Sequence, residues 1–259
     1  MDLGIKNKRV LVTGASQGIG KSIALEFANE GCRITLISRR EQELKKVMEE
    51  IGGEDCGHSY MVGDLMEKGV PTTISEELIK QYKRVDIVVH NVGGTLGVKN
   101  ILSSVEDWEK VWRFNTGIAI EMNNILIPPM QRNEWGRIIH ISSISAKNLR
   151  GSGPYGIAKA ALNAYTTVLG RELAPQGIVV SALMPGAIFA VGGHWDENSP
   201  HNAIDKEAFF RKKSDFLRHH HAIGRMGLSE EIAPFAVYMA SKQASFANTA
   251  LIPIDGGTM

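Results

Sequence analysis

Residues 9–20 read RVLVTGASQGIG. Val10, Leu11 and Val12 predict a strand that is apolar on both faces, and the glycines behind it predict a tight turn opening a helix at Gly18. Glycines let the backbone approach a ligand closely. The first N–H groups of a helix have no partner inside it, so they can receive a pyrophosphate. Gly14, Ser16, Gln17, Gly18, Ile19 and Gly20 are therefore the expected phosphate-binding residues. A glycine cluster alone is a common feature of turns; its place between the first strand and a helix makes it specific.

Working outward, the alternation repeats. Short β-branched runs at 33–38, 58–62, 85–90, 137–142, 177–183 and 250–254 alternate with stretches of helical spacing: Gly18–Asn29, Glu41–Ile51, Glu67–Tyr82, Val105–Ile127, Pro154–Ala174 and Ser229–Ala240. Strands apolar on both faces suit a sheet covered by helices on each side. The pattern predicts one α/β domain over 1–259, a doubly wound parallel sheet of about seven strands, Rossmann-like. Pro128 and Pro129 are expected to stop the fourth helix, and Pro175 with Gly177 the fifth. The segment 187–227 is far longer than an ordinary connection, and we expect it to cover a substrate as a lid.

Composition excludes several classes. Twenty-nine Lys plus Arg balance 28 Asp plus Glu, so no basic field exists to bind nucleic acid. Leu173 to Trp195 lacks charged residues, but its prolines and glycines interrupt it too often for a membrane helix. Cys32 and Cys56 have no metal-binding or disulfide spacing, and the N-terminus lacks a secretory pattern; we expect a cytoplasmic protein. His219, His220 and His221 are consecutive, so they point in different directions, and no metal site is expected.

Tyr155 and Lys159 stand four residues apart on the fifth helix, so both emerge on one face. A free tyrosine ionises near pH 10, and a neighbouring cation is what favours its phenolate. Ser142, Ser143 and Ser145 close the fifth strand upstream.

The TGxxxGxG spacing, the YxxxK pair and the serines resemble the short-chain dehydrogenase/reductase family, 3-oxoacyl carrier-protein reductases among them, over essentially the whole chain. The resemblance implies catalytic roles for Asn115, Ser143, Tyr155 and Lys159, with Ser142 and Ser145 competing for the serine position. It implies that Asn115 steadies a water leading from Lys159. It places Asp64 and Leu65 beside the adenine, although Asp64 also reads as a helix cap. His90-Asn91-Val92-Gly93 occupies the place of the family's NNAG turn, with His90 and Val92 as departures, and Asn91 and Gly93 retained. Pro185 and Gly186 match its PG motif; Ala190 replaces the usual threonine, so backbone such as that of Ile188 is expected to meet the nicotinamide. Asn248-Thr249 replaces the Thr-Gly that precedes the family's VDGG-like ending, here Ile254-Asp255-Gly256-Gly257. Relatives are commonly homotetramers, packed through the helices of Asn115 and Tyr155 and the last strand.

The second strand ends Ile37-Ser38-Arg39-Arg40, with no acidic residue to bond a ribose diol, so NADP(H) is expected over NAD(H). Arg39 is the first choice for the 2′-phosphate, with Ser38 assisting and Arg40 after them, since a residue at the helix start can face solvent. The functional expectation is hydride transfer between nicotinamide and a ketone or secondary alcohol, on a polar or hydroxylated small molecule. The alternatives are a 3-oxoacyl carrier-protein reductase and a catalytically silent NADP(H)-binding module.

Overall fold

The computed structural model describes residues 1–149, 151–190, 217–219 and 221–258. The lid expected over 187–227, with its histidines at 194 and 201, falls mostly outside them. The strands are β1 (Arg9–Thr13), β2 (Arg33–Ser38), β3 (Ser59–Val62), β4 (Ile87–His90), β5 (Gly136–Ile141), β6 (Ile178–Pro185), β7 (Ile188–Phe189), β8 (Gly227–Leu228) and β9 (Leu251–Ile254). Seven of them form one sheet in the order β3-β2-β1-β4-β5-β6-β9, with every pairing parallel. Successive connections run outward from β1 in one direction and then, from β4, in the other. That reversal opens a crevice at the carboxyl ends of β1 and β4, where such sheets bind ligands.

Helices cover both faces. On one side α1 (Gly18–Asn29), α2 (Glu41–Glu50) and α8 (Ala233–Ala240) bury Ile23, Phe27, Leu44 and Val237 against Val10, Val12, Ile34 and Leu36. On the other, α3 (Val70–Tyr82), α5 (Ile118–Arg132) and α7 (Gly153–Leu173) bury Leu78, Met122, Leu126 and Leu173 against Leu11, Val88 and Ile138. Adjacent strand residues supply opposite cores, as period 2 requires. Each of these apolar side chains contributes about 1.5–3 kcal/mol when fully buried.

The expected fourth helix departs in two ways. It begins as α4 (Val105–Trp112), widens into a π-helical turn at Arg113–Gly117, and resumes as α5. It also runs through Pro128 and Pro129 to Arg132. Burial of Ile127, Pro129 and Met130 continues the core-facing stripe past the prolines, and Asn124, whose carbonyl Pro128 deprives of a donor, is exposed. Packing outweighs the lost backbone bonds. The fifth helix, α7, ends in a 3₁₀ turn at Ala174–Gln176 with Gly177 left-handed at φ +72°, as Pro175 and Gly177 predict.

Candidate active site

The turn after β1 is built on glycine. Gly14 and Gly18 have φ of +65° and +57°, the left-handed region that favours glycine, and a Cβ on Gly20 would overlap the Gly14 carbonyl. Gln17 is the N-cap of α1 and makes no side-chain cap bond, so the helix start presents backbone rather than side chain. Asn91 ties this turn to the end of β4: its Nδ2 donates to the Thr13 and Gly14 carbonyls at 3.1 and 3.2 Å, and its N–H donates to Thr13 Oγ1 at 2.9 Å. The turn survives replacement of its neighbouring asparagine by His90, whose ring is buried on Asn123. Backbone lines this concavity, which fits a dinucleotide pyrophosphate.

At the end of β2, Ser38 Oγ donates to Ser16 Oγ at 2.8 Å, and Arg40 Nη2 donates to the same oxygen at 2.9 Å. Arg39 instead pairs with Asp64 at 3.3 Å. Arg40, ranked after Arg39 from the sequence, is therefore the arginine that converges on the serines, while Arg39 lies on Asp64. Asp64 also accepts from the Met66 N–H at 2.9 Å, stabilising the turn after β3. The Leu65 side chain is buried in the core, so only its backbone can meet a ligand.

Beyond β5, the three candidate serines separate. Ser143 is the serine beside the Tyr155 hydroxyl, where it opposes the rise in that group's pKa. Ser142 donates instead to the Lys159 carbonyl at 3.4 Å, and Ser145 opens the short helix α6 (Ser145–Asn148), its N–H donating to Ser143 Oγ at 3.1 Å. Ser152 N-caps α7, accepting from the Tyr155 N–H, and donates to the Val98 carbonyl at 2.7 Å; a single hydroxyl thus fixes the helix start against the loop after β4. Nothing in the local sequence marked Ser152 beyond its place just before Gly153-Pro154.

Lys159 is almost wholly buried and donates to the Ile141 carbonyl at 2.7 Å. Its Nζ lies 5.8 Å from the centroid of the Tyr155 ring. Burial pushes the Lys159 ammonium down to about 7. Burial also raises Tyr155 above its ordinary value, with Ser143 opposing it. Desolvation is the larger influence on Tyr155, which keeps its phenolic proton at neutral pH.

Asn115 lies in the π-helical turn. Its Nδ2 donates to the Gly94 and Val111 carbonyls, both at 2.8 Å, and its Oδ1 accepts from the Gly94 N–H at 2.9 Å. The wide turn exposes the Val111 carbonyl to this amide. With its side chain committed to backbone, Asn115 braces the Gly94 loop against the π-helical turn. A Cβ on Gly93 would stand 2.6 Å from Asn115 Oδ1 and 2.8 Å from Lys159 Nζ, so these three positions converge and only glycine fits.

Pro185 ends β6, and the Gly186 N–H donates to the Ile254 carbonyl at 3.0 Å. Ile188 begins β7, which pairs in parallel with β8, so the two ends of the 187–227 segment are tied together. Among the described residues, no cluster of three His, Cys, Asp or Glu is placed to hold a metal, and no helix is long and apolar enough to cross a membrane.

A family model described as short chain dehydrogenase matches residues 8–194. The chain belongs to the short-chain dehydrogenase/reductase family. A 3-oxoacyl-[acyl-carrier-protein] reductase of Aquifex aeolicus is 30% identical over 99% of this chain and 99% of its own length. An uncharacterized oxidoreductase of Mycobacterium tuberculosis is also 30% identical, over 98% of this chain and 92% of its own. Among solved structures, L-sorbose reductase from Gluconobacter frateurii, complexed with NADPH and L-sorbose, superposes with a TM-score of 0.89 at 28% identity, covering 100% of this chain and 98% of that one. As a member of this family the protein is an enzyme, an oxidoreductase.

Proposed function

We propose that this short-chain dehydrogenase/reductase uses NADP(H) to interconvert a ketone and a secondary alcohol, with a polar or hydroxylated small molecule as substrate. The observation that carries the reading is the Ser143–Tyr155–Lys159 arrangement: a half-buried phenol beside a serine hydroxyl and a buried ammonium. The nicotinamide supplies or accepts the hydride. In the reducing direction Tyr155 gives its phenolic proton to the oxygen of the substrate carbonyl, and Ser143 donates a hydrogen bond to that oxygen as charge builds on it. Lys159 holds the nicotinamide ribose and stabilises the phenolate left on Tyr155. Asn115 braces the loop of Gly93 and Gly94 that shapes this corner.

Gly14 to Gly20, Asn91 and Gly93 hold the dinucleotide, with Asp64 and the Leu65 backbone toward the adenine, and Pro185, Gly186 and the Ile188 backbone toward the nicotinamide. Ser16, Ser38 and Arg40, with Arg39 beside them, hold the 2′-phosphate. Bidentate guanidinium recognition favours NADPH over NADH. NADPH in the L-sorbose reductase complex and NADP in a 3-oxoacyl reductase structure from Agrobacterium tumefaciens, 26% identical at TM-score 0.86 over 98% of this chain and 95% of that one, support the same choice.

A sugar ketone in the sorbose reductase complex favours the polar substrate. The 30% identity to an acyl-carrier reductase favours a second reading, an acyl ketone; the exposed Leu96, Ile101, Leu102 and Leu149 would suit its tail. The measurement that decides is kcat/KM on matched ketoses, keto acids and 3-oxoacyl thioesters, each with NADPH and NADH. The polar reading expects ketoses or keto acids to lead with NADPH; leadership by the thioesters would replace it with the acyl one, and equal rates with NADH would remove the cofactor assignment.

Exposed apolar side chains also support a homotetramer: Ile157 and Val168 on α7, Phe235 and Tyr238 on α8, and Phe246 between α8 and β9. Light scattering should give four times the chain mass of 28.3 kDa; a monomeric mass contradicts it.

A further inference from the structure

Three of the four buried side-chain polar atoms that lack a hydrogen-bond partner among the described residues belong to one layer: His90 Nδ1, His140 Nε2 and Asn163 Oδ1. It lies between α7 and the carboxyl ends of β4, β5 and β6. His90 and His140 are register partners on β4 and β5, and their rings stack with centroids 5.3 Å apart. Asn163 stands one turn beyond Lys159 on α7, its Nδ2 donating to the Met184 sulfur of β6 at 3.3 Å.

Hydrogen-bond accounting fixes what these atoms are. Thr166 gives its hydroxyl proton to the Leu162 carbonyl at 2.8 Å. Its oxygen therefore accepts from His140 Nδ1, also at 2.8 Å, which leaves Nε2 a bare lone pair. Asn123 Nδ2 donates to the Tyr165 hydroxyl at 3.2 Å, and its Oδ1 takes the proton of His90 Nε2 at 2.9 Å. His90 Nδ1 is then a lone pair too. Asn163 Oδ1 is an acceptor by nature. Burial keeps both imidazoles neutral, pushing His90 down to about 4 and His140 well below its ordinary value, with His90 and Lys159 adding to the latter.

Three buried acceptors therefore share one layer without a donor among the described residues, and an unmet buried acceptor is costly. The cation of that region, Lys159, has three N–H bonds and places one on the Ile141 carbonyl. The other titratable groups facing it are Tyr155 on its own helix and Tyr165, whose ring lies 5.6 Å from that of His140. Asn115, Asn123, Asn163 and Thr166 are neutral, and no carboxylate pairs with Lys159 among the described residues. Water is the donor that fits acceptors so deep in the molecule, since buried waters occur where several polar groups converge.

Building on the catalytic reading of Tyr155 and Lys159, we infer that His90, His140 and Asn163 bind internal water that hydrates the Lys159 ammonium from behind, making the two histidines positioning residues for proton transfer. His140→Phe keeps a ring and removes the lone pair. It should move the basic limb of the kcat–pH profile down by about one pH unit, the fold-change of tenfold in ionisation expected for a lost charge–dipole partner, and leave the NADPH Kd unchanged. His140→Gln, which restores an acceptor, should return the limb toward wild type. Asn163→Leu, approaching from α7, should shift it in the same direction and covers the case in which the ring variant does not fold.

The test is the pH profile of these full-length variants with NADPH and the best ketone, beside a high-resolution crystal structure of the wild type. Density for water within hydrogen-bond distance of His140 Nε2 and of His90 Nδ1 or Asn163 Oδ1, together with the shifted limb, supports the inference. A dry layer, or an unmoved limb in folded His140→Phe or Asn163→Leu, overturns it. A fully active Tyr155→Phe would overturn the catalytic reading instead, while an inactive Tyr155→Phe together with an unmoved limb in His140→Phe or Asn163→Leu rejects the inference alone.

Discussion

Arg39 and Arg40 are neighbours in sequence and differ in what they reach. Arg40 donates to Ser16, while Arg39 lies against Asp64. A phosphate held by Arg40, Ser16 and Ser38 gains a charge-assisted bond worth about 1.5–3 kcal/mol, so Arg40→Ala should weaken NADPH roughly 10- to 100-fold and leave NADH binding unchanged. Arg39→Ala should cost less than Arg40→Ala. Fluorescence titration of both cofactors checks the order, and a larger loss at Arg39 would reverse it. Sequence showed that cations follow β2, yet the choice between them depends on Asp64, 25 residues away, which no local pattern encodes. Ser143 shows the same limit: three serines stand within four residues, and the bend after β5 decides which one meets Tyr155.

At the scale of elements, periodicity made the strands and helices legible because each has one or two faces in a core. Where burial and local chemistry disagree, as at Pro128 and Pro129, local signals misplace the boundary. The turn before β9 holds another conflict. Thr249, which stands where the family keeps glycine, has φ +61°, a conformation that is costly for a β-branched residue. Its N–H donates to the Val180 carbonyl at 2.8 Å, and Asn248 bonds both Val180 and Gly170, so the surrounding bonds hold it there. Thr249→Gly keeps those backbone bonds and relieves the strain. We expect it to raise unfolding stability by about 1 kcal/mol in urea melts, with destabilisation as the contrary result. The π-helical turn at Asn115 had no sequence signal beyond an asparagine inside a helix.

Across the whole molecule, two buried groups give stability a common pH dependence. His90 is held at about 4 and Lys159 at about 7, both by desolvation; their ordinary values lie near 6.5 and 10.5. Each folded value is depressed, so the unfolded chain binds the extra proton and stability falls as pH falls, for Lys159 from about 10.5 to 7 and for His90 from about 6.5 to 4. The His90 contribution alone is roughly 3 kcal/mol by pH 4. His90→Asn should flatten the acid limb of stability against pH relative to wild type, and an unchanged limb would contradict this. The parallel sheet was readable from strands apolar on both faces, and the crevice from the turn at 13–20.

We propose that Tyr155 transfers the proton while Lys159 and the β1 turn hold the cofactor. The most direct test is the turnover of Tyr155→Phe on the best ketone, with NADPH binding measured on the same protein. General acid catalysis is worth about 10²- to 10⁴-fold, so turnover should fall by at least a hundredfold while the NADPH Kd stays within about twofold, since the ring remains and only the hydroxyl is lost. Turnover within a factor of about three of wild type would contradict the account.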